Sequence, residues 1–256
     1  DTLKSSAHRN LFALFLEMGL GKSKILLDNA GMLFEEGKIS GLLIVSPKGN
    51  LNNWDSNEIS RHLPERIKRN VLVWQPNHTQ RWTKAFKDMV QNDSTGVLNI
   101  FLVNVEAFAT VKACTHVEEF LVTHDAMMAI DESTTIKNPK AKRTKHLIKL
   151  GPLADYRRIL TGFPITKAPL DLYSQCYFLS PNLLGFSSFY AFQARYAITQ
   201  SRQMGRHAFQ QVMGFQKLDE LQESIKDFSI RRRKEECLDL PPKVYTRRMV
   251  ELTPEQ

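Results

Sequence analysis

The sequence predicts an α/β domain, a mostly parallel sheet flanked by helices with a helical C-terminal extension. Three observations carry that expectation. Short apolar runs recur through the first 160 residues, amphipathic helix-like stretches lie between several of them, and a 256-residue chain with 42% hydrophobic residues can bury a sizeable core. Runs that are largely apolar without a period-two alternation belong to strands covered on both faces, as in parallel sheets. In chain order these runs are Phe12–Leu16, Leu42–Val45, Val71–Trp74, Ile100–Val103, Met127–Ile130 and Arg158–Leu160. Between the first two, Lys24 to Glu36 places Leu26, Ala30 and Leu33 on one helical face and stops at Gly37. Between the second and third, Asn50 to Leu63 carries Leu51, Trp54, Ile59 and Leu63.

After about Leu170 the chain becomes rich in Phe and Tyr, from Tyr173 and Tyr177 to Phe192, which predicts helices packed on or beside the sheet. Between Tyr196 and Phe215, Gly205 divides two roughly alternating flanks. A protruding hairpin and a pair of packed helices both suit that pattern. The tail "DLPPKVYTRRMVELTPEQ" joins a stiff Pro241–Pro242 to an alternating run and reads as a linker.

Formal charge is +8, from 35 Lys and Arg against 27 Asp and Glu, which favours a polyanionic partner such as nucleic acid. Cys114, Cys176 and Cys237 lie far apart without ligand-like spacing, so neither a disulfide framework nor a zinc site is suggested. The seven histidines likewise show no ligand spacing and read as surface or packing residues. With no apolar run near the roughly 18 residues of a membrane span and no signal-like amino terminus, a soluble, intracellular protein is expected.

Chemistry concentrates in two motifs. In "FLEMGLGKS", Phe15 to Ser23, a buried strand meets an amphipathic helix through two glycines, a lysine and a hydroxyl. This is the context of a phosphate-binding loop: amides of Gly19, Leu20 and Gly21 turn toward the phosphates, Lys22 reaches the β- and γ-phosphates, and Ser23 ligates magnesium. A plain Gly-rich turn with a surface lysine is the simpler alternative. In "MMAIDEST" a strand delivers Asp131 and Glu132 at its carboxyl end, where α/β sheets bind ligands. In a nucleotide hydrolase Asp131 holds magnesium and Glu132 orients and deprotonates the attacking water. Alone, an Asp-Glu pair there also serves as a helix cap. The two motifs together favour function, with ATP and Mg2+ as the expected cofactors.

Seven segments, in order, give the chain a specific resemblance. They are "EMGLGKS", "LLIVSPKGNLNNWDSNEI", "LVNVEAF", "DEST", "TIKNPKAKRTKHL", "RRILTGFPITKAPLDLYSQCYFLSPNLLG" and "IKDFSIRRRKEECLDLPPK". The chain resembles the first, RecA-like motor lobe of a superfamily-two helicase of the Swi/Snf family of ATP-driven double-stranded DNA translocases. The resemblance implies an ATPase lobe over residues 1–235, with a helical or hairpin insertion at about 170–230. Residues 236–256 then form a linker toward a second lobe, which is expected to supply arginine fingers and half of the DNA track. It also implies movement on duplex DNA without strand separation.

Three positions depart from the family pattern. Leu16 stands where an acidic residue is usual, Thr134 where histidine is common, and Phe163 where the third motif has its second threonine. The last two belong to positions that help couple hydrolysis to DNA contact, as do Thr161 and Gly162 beside them. Nor is a glutamine-bearing, adenine-reading segment recognisable before Leu11. Such divergence suggests a bacterial or phage relative, located in the cytoplasm and associated with the nucleoid.

A translocase grips the DNA backbone without reading bases, so contacts are expected at loop ends from amides, small hydroxyls and basic side chains. Ser46, Pro47 and Lys48 sit in one such turn, and Lys137 and Asn138 lead the densest basic run before the tail. Arg231 to Lys234 reads either as a further contact or as a basic helix end. A DNA- or protein-binding module that retains the fold without hydrolysis is the competing expectation, and a small P-loop kinase is a weaker one.

Overall fold

The computed structural model describes residues 2–91, 96–204, 207–239 and 246. Seven strands form one sheet: β1 (Leu11–Leu16), β2 (Gly41–Ser46), β3 (Arg69–Val73), β4 (Leu98–Asn104), β5 (Ala126–Asp131), β6 (Tyr156–Leu160) and β9 (Ser229–Arg232). Their spatial order is β3-β4-β2-β5-β6-β1-β9, and every pairing is parallel. Between them run α1 (Thr2–Ser6), α2 (Lys22–Glu35), α3 (Lys48–Asn53), α4 (Ile59–His62), α5 (Gln80–Gln91), α6 (Val111–Thr123) and α7 (Lys142–Leu150). A wider π-helical turn, Trp54–Glu58, joins α3 to α4.

Side-chain alternation divides the core in two. Ala13, Phe15, Leu43, Val45, Phe101, Val103, Met128 and Ile130 face one layer, which α5, α6 and α7 cover with Trp82, Phe86, Val117, Phe120 and Leu147. Phe12, Leu14, Leu16, Leu42, Ile44, Leu102, Met127 and Ala129 face the other, covered by Leu26, Leu27, Ala30 and Leu33 of α2 and by Leu51, Trp54 and Ile59. Each such Val, Leu, Ile, Phe or Met side chain, fully buried, contributes about 1.5–3 kcal/mol. With both faces covered, the chemistry is left to the sheet's ends. Four adjacent strands, β2-β5-β6-β1, bring Ser46, Asp131, Thr161 and the loop after Leu16 to the same carboxyl edge.

The C-terminal part is more than helical. α8 (Leu172–Leu179) and α9 (Phe189–Tyr196) set Tyr173, Phe178, Phe192 and Tyr196 into the first core layer, as their aromatic content predicts. The segment from Tyr196 to Phe215 resolves as a hairpin, not paired helices: β7 (Ala197–Met204) and β8 (His207–Phe215) are antiparallel, with an irregularity between Ile198 and Thr199. After α10 (Leu218–Lys226) the chain returns to the main sheet as β9, parallel to β1, before α11 (Lys234–Cys237). Arg231 and Arg232 therefore lie on an edge strand, while Arg233 and Lys234 stand at the start of α11. Gly205, Pro241–Pro242 and most of the expected linker lie outside the described residues.

One buried cation secures the amino-terminal segment. Arg158 of β6 is fully buried, and no carboxylate pairs with it among the described residues. Its guanidinium donates instead to the carbonyls of Ser6 (3.0 Å), Arg9 (2.7 Å) and Asn10 (3.1 Å) and to Asn29 Oδ1 of α2 (2.9 Å). Asn29 Nδ2 in turn donates to the Ala7 carbonyl at 2.9 Å. Burial lowers the pKa of Arg158 to about 10, so it stays charged at neutral pH and its neutral acceptors carry the whole solvation of the ion. Arg158→Met should orphan these acceptors and lower the unfolding free energy by about 3 kcal/mol, as read in urea titrations. Arg66→Met, at an exposed, solvent-screened ion pair with Glu35, should leave the urea midpoint essentially unchanged.

Candidate functional site

The loop between β1 and α2 is built for backbone exposure. Gly19 (φ 85°) and Gly21 (φ 78°) occupy the left-handed region, where a side chain would be strained. Gly21 sits at the start of α2, whose first amides open onto the cleft. Lys22 Nζ folds back to donate to the Leu16 carbonyl at 2.9 Å, so a bound anion has to compete with this internal acceptor. Leu20 turns its side chain into the second core layer, leaving its backbone for the loop.

The loop does not shape itself unaided. The Glu17 amide donates to the Arg232 carbonyl (3.1 Å), and the Lys234 amide donates to Glu17 Oε2 (2.9 Å). Gly162, after β6, comes so close that a methyl group there would touch the backbone of Leu16, Glu17 and Met18 at 3.5 Å. The phosphate-type loop is thus clasped between β9 and the β6 loop.

Opposite it, Asp131 is 8% exposed. Its Oδ2 accepts from Ser46 Oγ (3.0 Å) and Trp54 Nε1 (2.9 Å), and its Oδ1 from the Glu132 amide (3.0 Å). Glu132 itself is left-handed (φ 48°, ψ 60°), a conformation that costs a non-glycine residue roughly 1–3 kcal/mol. Its Oε2 accepts from Thr161 Oγ1 at 3.1 Å, and that hydroxyl accepts from the Phe163 amide at 3.2 Å. Gly19, Gly21, Lys22, Ser23, Asp131 and Glu132 line one cleft of about 570 Å³.

Sequence reasoning missed the far wall of that cleft. Trp54, Glu58, Arg61 and His62 line it from the α3–α4 helix. Their spacing of about one turn was the available signal, but Trp54 reads equally well as core and is in fact both. Ser46 also differs from expectation. It is fully buried with its hydroxyl committed to Asp131, which removes it from the solvent face, whereas Lys48 is exposed and Pro47 half-buried.

A second polar cluster fixes the loop after β5. Lys137 Nζ bonds Thr166 Oγ1 and lies 3.7 Å from Asp171 Oδ2, while Asn138 is exposed and accepts from the Lys140 amide (2.9 Å). Burial works to raise the pKa of Asp171. Donation from the Lys167 and Thr166 amides and the Thr166 hydroxyl, with the Lys137 charge, outweighs it and leaves the pKa lowered. Ser133 Oγ donates to Gln175 Oε1 (2.7 Å), tying the same loop to α8.

The SNF2-related domain family matches residues 5–256. The chain belongs to this family. The SNF2-related chain is 30% identical over 232 residues to the DNA annealing helicase and endonuclease ZRANB3 of Bos taurus, covering 90% of this chain and 20% of that protein. It is 38% identical over 130 residues to TATA-binding protein-associated factor 172 of Homo sapiens, covering 50% of this chain and 7% of that one. It therefore spans about a fifth or less of these relatives. Among solved structures it resembles the Sulfolobus solfataricus SWI2/SNF2 ATPase core in complex with dsDNA, with a TM-score of 0.61 and 25% identity over 88% of this chain and 40% of that one. The SNF2-related domain has the RecA-like fold of that core. The expected bacterial or phage origin, with its nucleoid location, finds no support: the two protein relatives are eukaryotic and the structure is archaeal. Among the described residues no helix is long and apolar enough to cross a membrane.

Glu17→Ala leaves the Lys234 amide without its acceptor. Hydrogen exchange across residues 232–238 is then expected to speed up about tenfold, with exchange in β4 unchanged. For Asp171 the folded-state pKa is depressed, so its contribution is present above the unfolded value and lost as pH falls through the folded one. The amide resonances of Thr166 and Lys167 should accordingly hold their positions as pH drops through the ordinary carboxylate range and shift only below it.

Proposed function

We propose that this SNF2-related domain is the ATP-binding and catalytic lobe of an ATP-driven translocase on double-stranded DNA. The observation that carries the reading is the cleft itself, in which Lys22, Ser23, Asp131 and Glu132 converge from the ends of neighbouring strands. The amides of Gly19 to Ser23 cradle the phosphates, and Lys22 exchanges the Leu16 carbonyl for the β- and γ-phosphate oxygens. The Ser23 hydroxyl and the Asp131 carboxylate are hard oxygen donors suited to Mg2+, which when bound neutralises phosphate charge. Asp131 is presented ready-made, because Ser46, Trp54 and the Glu132 amide already fix both of its oxygens. Glu132, aimed by Thr161, orients the attacking water and takes its proton.

Pro47, Lys48, Lys137 and Asn138 follow β2 and β5 at the same edge and form this lobe's share of the DNA backbone track. Ser46 supports that track from behind, through Asp131. Thr161 and Gly162 couple the two sites: one touches Glu132, the other the phosphate loop. The Sulfolobus core is more than twice as long as the region it shares with this chain. An arginine from a second lobe is worth roughly 10³–10⁵ in turnover. Taken alone, the 256-residue chain should bind ATP weakly and hydrolyse it very slowly.

Titration with a fluorescent ATP analogue and Mg2+ tests the site. Lys22→Ala should lose at least about tenfold in affinity. Glu132→Gln should keep binding while turnover falls by roughly 10²–10⁴. Equal turnover in Glu132→Gln would remove Glu132 from the chemistry, and equal binding in Lys22→Ala would remove the nucleotide from the cleft.

A further inference from the structure

Outside the cleft, the least explained part of the fold is the β7–β8 ribbon. Its strands pair only with each other, leaving both faces and both edges without a partner strand among the described residues. An isolated two-stranded ribbon is marginal in water, so its position has to be fixed at the root. It is. Tyr196, just before β7, is buried in the core, its carbonyl accepts from the Gln216 amide just after β8 (2.9 Å), and its hydroxyl donates to Glu220 of α10 (3.1 Å). The ribbon leaves the body at a defined place and is about 27 Å long at 3.4 Å per residue.

Its chemistry points one way. Between Arg195 and Lys217 the sequence holds no Asp or Glu, in a chain that carries 27 elsewhere. Gln200, Ser201, Arg202, Gln203 and Gln210 are exposed, and Gln200 pairs across the strands with Gln211. Amide side chains both donate and accept, so they serve base edges and phosphates alike, and a two-stranded ribbon fits the roughly 12 Å major groove of B-DNA. The root continues the basic edge, since Lys140 Nζ lies 5.8 Å from the ring of Tyr190 on α9, three residues after Asn138's loop begins at Lys137.

We propose that the β7–β8 ribbon is a second contact for double-stranded DNA, reaching along the duplex beyond the track at Lys48, Lys137 and Asn138. The proposal rests on the DNA-track reading above. The test is binding of the whole chain to a labelled 30-base-pair duplex, followed by anisotropy at several salt concentrations. Gln200→Glu/Arg202→Glu/Gln211→Glu should weaken binding roughly tenfold, and Arg202→Ala should lower the slope of log K against log salt by about 1. Melting temperature and ATP-analogue affinity should stay unchanged, which separates lost contact from lost fold. If Lys48→Ala/Lys137→Ala weakens binding while both ribbon variants match the unaltered chain, the ribbon proposal falls and the track stands. A protein partner, met through exposed Ile198 and Met213, would then be the ribbon's occupant. Failure of the unaltered chain to bind duplex would overturn both readings together.

Discussion

The buried carboxylate of Asp131 is the point on which the functional edge depends. At 8% exposure the carboxylate is largely out of water, and a buried polar group without hydrogen-bond partners is costly. Here three donors come from three places: the end of β2, the helix that follows it, and the backbone one residue on. Each donor is also a positioning constraint. Ser46 fixes where β2 stops, Trp54 fixes where the far wall stands, and the Glu132 amide turns that residue into the left-handed region. Satisfying the buried carboxylate and building the cleft are therefore done by the same set of hydrogen bonds.

A similar economy governs the opposite wall. A glycine loop free to adopt left-handed backbone is also free to leave it, and the loss of conformational freedom on ordering is largest for glycine. The Glu17 carboxylate and amide restrain the loop against the Arg232–Lys234 segment, and Gly162 lies against its other side. Two elements remote in sequence thus hold the loop from either side.

How legible this was follows from the physics of each element. β1, β2, β4 and β5 were readable because burial on both faces writes continuous apolar runs, while half-buried β3 and partly buried β6 showed through short runs of Val, Ile and Leu. β9 was not, because its four residues, Ser-Ile-Arg-Arg, are half-buried at most and it becomes a strand only by pairing with β1. The ribbon sequence balanced between hairpin and helices because, beyond Ala197 at its root, none of its described side chains is buried, which leaves periodicity weakly expressed. α5 and α6 carry buried Trp82, Phe86, Val117 and Phe120 at helical spacing; the Thr79 hydroxyl caps α5 by accepting from the Trp82 amide (3.1 Å), whereas α6 has no side-chain cap. Motif spelling pointed to Lys22, Ser23, Asp131 and Glu132, which the fold brings to one cleft. It could not show that Ser46 faces inward, since a hydroxyl at a strand end serves DNA or a neighbouring carboxylate equally well. Trp54 was hidden for a related reason: an indole can fill a core with its ring and donate from its N–H, and only the first role shows in a pattern.

The departures from the family pattern matter less to the internal linkage than their spelling suggests. Leu16 is 1% exposed and contributes its carbonyl, not its side chain, to Lys22, so an apolar residue there is compatible with the loop. Phe163 sits in a chain of hydrogen bonds, but it enters through its amide, which donates to the Thr161 hydroxyl that holds Glu132. Replacing its side chain leaves that chain of bonds in place. What changes is the outward face, where Phe163 is 62% exposed and Met18, beside the loop contacted by Gly162, is 71% exposed. An exposed aromatic costs solvation free energy unless something covers it. The hydrogen bonds here run through the Phe163 amide and the Thr161 hydroxyl, while the Phe163 side chain itself faces outward.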